Sequence, residues 1–145
     1  TNQKGSIQIQ KAIDRFKKHY ECVYDCVIDK TWADSLKIKA KSHFFIDQIS
    51  VGNHYKQINY VGGIGKSGLE AMLLKSLTFT SGEKISSNIE VAPYIKVNRQ
   101  DELYDKLIYY KKNSKIAKEI VERQYRWAIK YTNPNYLANE IIQNG

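Results

Sequence analysis

Between Val61 and Leu74 the chain reads Val-Gly-Gly-Ile-Gly-Lys-Ser-Gly-Leu-Glu-Ala-Met-Leu-Leu. Four glycines fall within the seven positions from Gly62 to Gly68, and an apolar run follows Glu70. Glycines at this density let a backbone approach a ligand closely and adopt positive φ. The apolar run predicts a short, fully buried helix over 66–75. A glycine-rich turn that feeds a helix N-terminus presents unpaired N–H groups at the positive end of the helix dipole, an arrangement suited to an anion. Ser67, with Glu70 three residues on, fits a capping box at that start. A surface loop ahead of a capped core helix is the plainer alternative.

The flanking sequence sets this turn in an alternating chain. Ile9, Ala12, Ile13, Phe16 and Tyr20 recur at helical spacing and predict a helix over 6–20 with Ser6 as its N-cap. Residues 22–29 are rich in β-formers and predict a strand. Thr31 can cap a further helix, with Asp34 as box partner and Leu36 and Ala40 on its apolar side, ending near Lys41-Ser42. His43-Phe44-Phe45-Ile46-Asp47 predicts a buried strand of the parallel-sheet kind. Residues 48–65 form a long loop of polar and aromatic character, a length that inside a compact domain usually serves function. A strand is predicted over 77–81, a turn at Gly82 and a last short strand over 93–97. Leu103, Leu107 and Tyr110 stripe one helix. Ile116, Ile120, Trp127 and Tyr131 stripe a longer one, with Ala117, Val121 and Ala128 beside them. Asn133-Pro134 opens a final short helix carrying Leu137, Ala138, Ile141 and Ile142.

Strands that alternate with helices give an α/β class, with a parallel sheet flanked by helices in a Rossmann-like three-layer sandwich. In such sheets ligands sit beyond the carboxyl ends of the strands, where the loop 47–66 leaves the strand 43–47. A doubly wound sheet normally begins on a strand and this chain opens on a helix, so its first strand is expected upstream of Thr1.

Composition narrows the function. The 145 residues suit one domain and carry a net charge of +8, spread along the chain. That favours a solvated surface with a bias toward polyanions or acidic lipid. No apolar run approaches the roughly 18 residues of a membrane span, and the polar opening Thr1 to Ser6 is no signal peptide. Cys22 and Cys26, four apart on a strand, would lie about 13 Å from each other, beyond disulfide reach. Neither has a Cys or His pair for zinc, so both read as buried free thiols in a reducing compartment. Most of the 11 tyrosines suit packing better than base stacking. A P-loop needs G-x-x-x-x-G-K-[ST], and the place of its first glycine is held by Tyr60. A dinucleotide fingerprint from Gly63, Gly65 and Gly68 lacks its acid on the following strand. Asp47 lacks the acidic pair that a phospho-acceptor site would need.

Three stretches carry a resemblance to the C-terminal, nucleotide-sugar-binding domain of GT-B-fold retaining glycosyltransferases of the bacterial surface-polysaccharide type. Lys4-Gly5-Ser6 resembles the Lys-Gly-Thr/Ser that opens that domain's first helix. His43-Phe44-Phe45-Ile46-Asp47-Gln48-Ile49 resembles the strand "ADIFIDQ". Gly63 to Met72 resembles "GxxGxxxLEAM". The likeness covers nearly the whole chain and implies that 1–145 is the donor-binding domain of a two-domain enzyme. By the same resemblance the donor diphosphate is bound by Lys4, Gly5, Gly65, Lys66, Ser67, Gly68 and Leu69, and the ribose by Glu70. It implies no metal or other cofactor, since the nucleotide-sugar is itself the substrate. It also implies a cytoplasmic protein with peripheral contact at the inner face of the membrane and no nucleic-acid partner. The sequence departs from the family at Gly62, where many relatives place a glutamate on the donor sugar, and at Ser76, where many have glycine in a tight turn. No carboxylate pair is placed for acid–base work, so the chain alone is expected to bind a donor without turning it over. A degenerate donor domain kept for nucleotide binding or protein contact is the alternative. A nucleic-acid-binding domain would use the charge but shows no reading motif.

Overall fold

The two apolar runs become adjacent strands. The computed structural model describes residues 5–49, 63–82 and 90–133. Among them β1 (Phe44–Ile46), β2 (Leu77–Thr80) and β3 (Ile95–Lys96) form one sheet in the order β1-β2-β3. Both pairings are parallel, with Phe45 opposite Thr78 and Phe79 opposite Ile95. All four residues of β2 are buried, as a central parallel strand requires. The helices are α1 (Ser6–Lys17), α2 (Trp32–Lys41), α3 (Lys66–Leu73), α4 (Gln100–Lys112) and α5 (Ser114–Thr132).

Side chains of β2 alternate between two helix layers. Leu77 and Phe79 join Ile9, Ile13 and Phe16 of α1 and Leu103 and Leu107 of α4 in one core. Thr78 points the other way, toward Gly68 of α3 and Gln124 of α5. A second core there gathers Ile64, Met72, Trp127, Ala128 and Tyr131. The fold is thus α/β, a small open parallel sheet with helices on both faces.

Several expectations need correction. Residues 22–29 form no strand: only Cys22 and Tyr24 lean on the core, while Val23 is 88% exposed and Ile28 60%. Strand preference is expressed only where a neighbouring strand offers a ladder, and Asp29 leaves extended geometry altogether at φ 55°. Burial, with Cys26 and Asp14 nearby, still pushes the Tyr24 phenol up to about 12. Cys22 is half-buried and Cys26 exposed, so the thiols are free but not interior. The cap of α1 is Gly5, not Ser6. Gly5 sits at φ 73°, and a Cβ there would lie 2.9 Å from the Ile49 carbonyl oxygen, so the close seat of α1 on the chain leaving β1 demands glycine. On α2, Thr31 does cap, accepting from the Asp34 N–H, but Ala40 is exposed and Lys39 is buried. On α5, Ile116 is exposed and Ala117 takes the core side. The expected helix after Pro134 lies outside the described residues.

Ser76, where the sequence departs from glycine, still closes a tight turn. The turn after α3 closes with Ser76 N–H donating to Ala71 and Lys75 N–H to Met72, a Schellman pattern. The left-handed residue is Lys75, at φ 60°. Its ammonium meets Glu122 at 3.0 Å and lies over the Tyr125 ring.

Gln124 joins α5 to the sheet. β3 begins opposite Phe79, so the edge of Thr78 that faces it has no strand partner among the described residues. The Gln124 side chain fills that place: its Oε1 accepts from Thr78 N–H at 3.0 Å, and its Nε2 donates to the carbonyls of Thr78 and Pro93, each at 3.1 Å. The side chain is wholly buried.

Two stability predictions follow from these contacts. Gln124→Leu strands Thr78 N–H and two carbonyls in the interior and should cost about 2–4 kcal/mol, read as a lower denaturant midpoint with unchanged slope. Lys75→Gly should exceed Lys75→Ala in stability by about 1 kcal/mol, since only glycine takes a left-handed φ without a Cβ clash. Equal midpoints for those two variants would contradict that account.

Candidate functional site

The start of α3 is built from Gly63 onward. Gly63 turns at φ 81° and Ile64 is buried. The N-cap is Gly65, in extended geometry, and the first intrahelical bond runs from Leu69 N–H to the Gly65 carbonyl at 3.0 Å. The helix therefore begins two residues earlier than a Ser67 cap would require. Ser67 and Glu70 both lie inside it, and no capping box forms. The amides of Lys66, Ser67 and Gly68 are three of the four that an α-helix leaves without an internal partner at its start, whereas that of Leu69 is used within the helix. Gly68 has its own reason: a Cβ there would come within 2.7 Å of the Ile64 side chain, which folds back over the first turn.

Glu70 turns sideways, toward α2. Its Oε1 receives the Lys39 ammonium at 3.2 Å and its Oε2 the Trp32 indole N–H at 2.5 Å. The Lys39 side chain is 3% exposed and that of Glu70 16%. A lysine this deep needs an opposite charge beside it. Lys39 also lies 5.2 Å from the centre of the Phe45 ring on β1, and Lys66 lies 6.0 Å from that of Trp32. Trp32 opens α2 and Lys66 opens α3, so the two helix starts converge. Because α2 ends two residues before β1, and α3 runs back along the sheet to β2, both starts lie toward the carboxyl edge of the strands.

At that edge the backbone pairing outlasts the strands. Asp47 N–H donates to Phe79 and Ser81 N–H to Gln48. Thr80 Oγ1 donates to Asp47 at 3.5 Å and accepts from Gly82 N–H at 3.1 Å. Gly5, at the start of α1, abuts Ile49 just past β1.

The sequence-predicted residues thus divide. Gly65, Lys66, Ser67, Gly68, Leu69 and Glu70 share the first turns of α3. Gly5 heads α1, which packs with α4 on the other face of the sheet. Lys4 and Gly62 lie outside the described residues. Trp32 and Lys39 were not singled out from sequence. The signal for them was a spacing of seven, Trp32-Leu36-Lys39, along the side of α2 that faces α3. A basic residue within an apolar stripe marks a buried ion pair as readily as a misread face.

Among the described residues no three or more His, Cys, Asp or Glu gather to hold a metal ion, and no helix is long and apolar enough to cross a membrane. A groove of about 930 Å³ runs along α5, lined by Pro93, Ile116, Arg123 and Trp127 among others, and none of the residues predicted to bind the donor lines it. Comparison of the chain with protein-family models, with curated proteins and with solved structures found no match.

The Lys39–Glu70 pair makes a direct prediction. In a double-mutant cycle of Lys39→Met and Glu70→Gln, the two losses of stability should be non-additive by about 1–3 kcal/mol. Additive losses would mean that the two groups do not sense each other.

Proposed function

We propose that this chain binds a nucleoside diphosphate sugar at the start of α3, as the donor-binding domain of a GT-B retaining glycosyltransferase. One observation carries the reading: a carboxylate anchored from two sides, standing one turn from three uncommitted helix amides. An ionised carboxylate accepts about four hydrogen bonds, and Lys39 and Trp32 use two of Glu70's. The remaining lone pairs suit two vicinal hydroxyls, and their orientation is held before any ligand arrives. The amides of Lys66, Ser67 and Gly68, with the Lys66 ammonium, suit a diphosphate, whose charge grows as a glycosidic bond to it breaks. Lys4 and Gly5 join this set on the family resemblance. In this reading the sheet is Rossmann-like. An acceptor-binding domain completes the cleft, and the chain alone holds donor without transferring sugar.

A second reading, a degenerate donor domain retained for protein contact, draws on Gly62 in the place of a glutamate. The two readings part on binding. Calorimetric titration of the full chain with UDP, GDP and ADP should show saturable binding by at least one of them. Glu70→Gln, titrated well below its lowered melting transition so that the chain stays folded, should weaken that binding roughly tenfold or more and leave inorganic pyrophosphate nearly unaffected. Absence of binding by all three nucleotides to a folded chain would favour the second reading.

A further inference from the structure

The diphosphate and the ribose account for two parts of a nucleotide and leave the base. Beside Glu70 stands Trp32, 64% exposed, the most open of the chain's large aromatic side chains among the described residues. An exposed indole on a helix end ordinarily samples several rotamers. This one is tied down, because its Nε1 donates to Glu70 Oε2 at 2.5 Å, a short bond to a charged acceptor. Glu70 is in turn held by the nearly buried Lys39. The indole is therefore held at its Nε1 by the same carboxylate that is assigned to the ribose, while much of the ring stays open to solvent.

The chemistry of a nucleoside then limits where its base can go. The 2′ and 3′ hydroxyls lie one and two carbons from C1′, which bears the base. A ligand whose hydroxyls reach Glu70 carries its base into the immediate neighbourhood of that carboxylate, and the open aromatic surface there is Trp32. Fixed aromatic faces bind bases of any kind, because every base has a π-face. A cation already lies over the same ring, Lys66 at 6.0 Å, so the indole borders the helix start assigned to the phosphates as well.

We propose that Trp32 is the stacking platform for the base of the bound nucleotide, a specificity element that admits nucleoside diphosphates over bare diphosphate and selects little among bases. This inference rests on the Glu70 assignment. A purely structural Trp32, a staple between α2 and α3, is the competing role, and ligand choice separates the two.

The full chain, with Trp32→Ala and Trp32→Phe, is titrated with UDP, ADP and inorganic pyrophosphate, and each variant's melting profile is recorded. Stacking predicts that Trp32→Ala loses roughly tenfold or more in affinity for both nucleotides. Pyrophosphate affinity should stay within about twofold, and Trp32→Phe, which keeps a ring but no N–H, should recover most of the loss. A staple predicts equal losses for nucleotides and pyrophosphate, and a Trp32 that only orients Glu70 predicts a nucleotide-selective loss with Phe no better than Ala; either result overturns the proposal. Unchanged nucleotide affinity in Trp32→Ala overturns it too, while leaving the Glu70 reading in place if Glu70→Gln still weakens binding. Absence of nucleotide binding by the unmodified chain removes both readings together.

Discussion

The side-chain amide of Gln124 occupies a place that a strand residue would otherwise hold. Among the described residues β2 is the strand with neighbours on both sides, and its first half lacks one of them because β3 is two residues long. A buried backbone N–H and C=O left open there would each cost about 1–3 kcal/mol. Gln124 offers an acceptor and two donors in the geometry of a peptide group, and all three are used. Its Nε2 also reaches the Pro93 carbonyl, so α5, β2 and the approach to β3 are joined at one side chain. Hydrophobic contact could place α5 against the sheet in many registers. A hydrogen-bonded amide in a dry setting permits one.

The position of α5 then determines that of α3. Trp127 and Ala128 form the wall against which Ile64 and Met72 pack, with Leu69 and Leu73 beside them. Ile64 can turn onto that wall only because Gly68 has no Cβ in its way. The far end of α3 is closed by Lys75, which meets Glu122 and Tyr125 on α5. That surface pair is half-exposed at both ends and contributes little on its own, so the left-handed turn rests mainly on its backbone hydrogen bonds. With α3 held at both ends, the direction in which Glu70 leaves it is fixed, and it leaves toward α2.

How much of this was legible in the sequence depended on the range of the interaction. Helices with a strong apolar stripe, such as Ile9-Ala12-Ile13-Phe16 and Leu103-Leu107, were readable because their pattern is local. So were the two apolar runs that became β1 and β2, and the Thr31 cap, whose partner is three residues away. The stretch 22–29 misled because strand preference is a statement about fit to a neighbouring strand, and none is offered there. The Ser67–Glu70 box misled for a related reason. Its spacing is right, but Gly65 can take the cap position and Glu70 has stronger partners 31 and 38 positions away in sequence. Gln124 was invisible, being a single polar residue in an otherwise ordinary helix whose role exists only once β3 is known to be short.

The Trp32–Glu70–Lys39 arrangement is the least economical part of the fold. Burying an ion pair costs desolvation that its mutual attraction only partly returns, and well-packed apolar residues would often serve stability as well. Here the cost falls between two helices that already share an interface, at the carboxyl edge of a parallel sheet, where this architecture places ligands. Apolar side chains at 39 and 70 could hold α2 to α3, but they could not present an oriented carboxylate to a polar molecule. A carboxylate alone could accept a hydroxyl but would have to be ordered by the ligand each time one arrived, at a cost in side-chain entropy. Anchoring it from both sides moves that ordering into the folding of the chain. It also freezes the indole that does the anchoring, so one carboxylate organises both a polar and an aromatic surface at the same helix start.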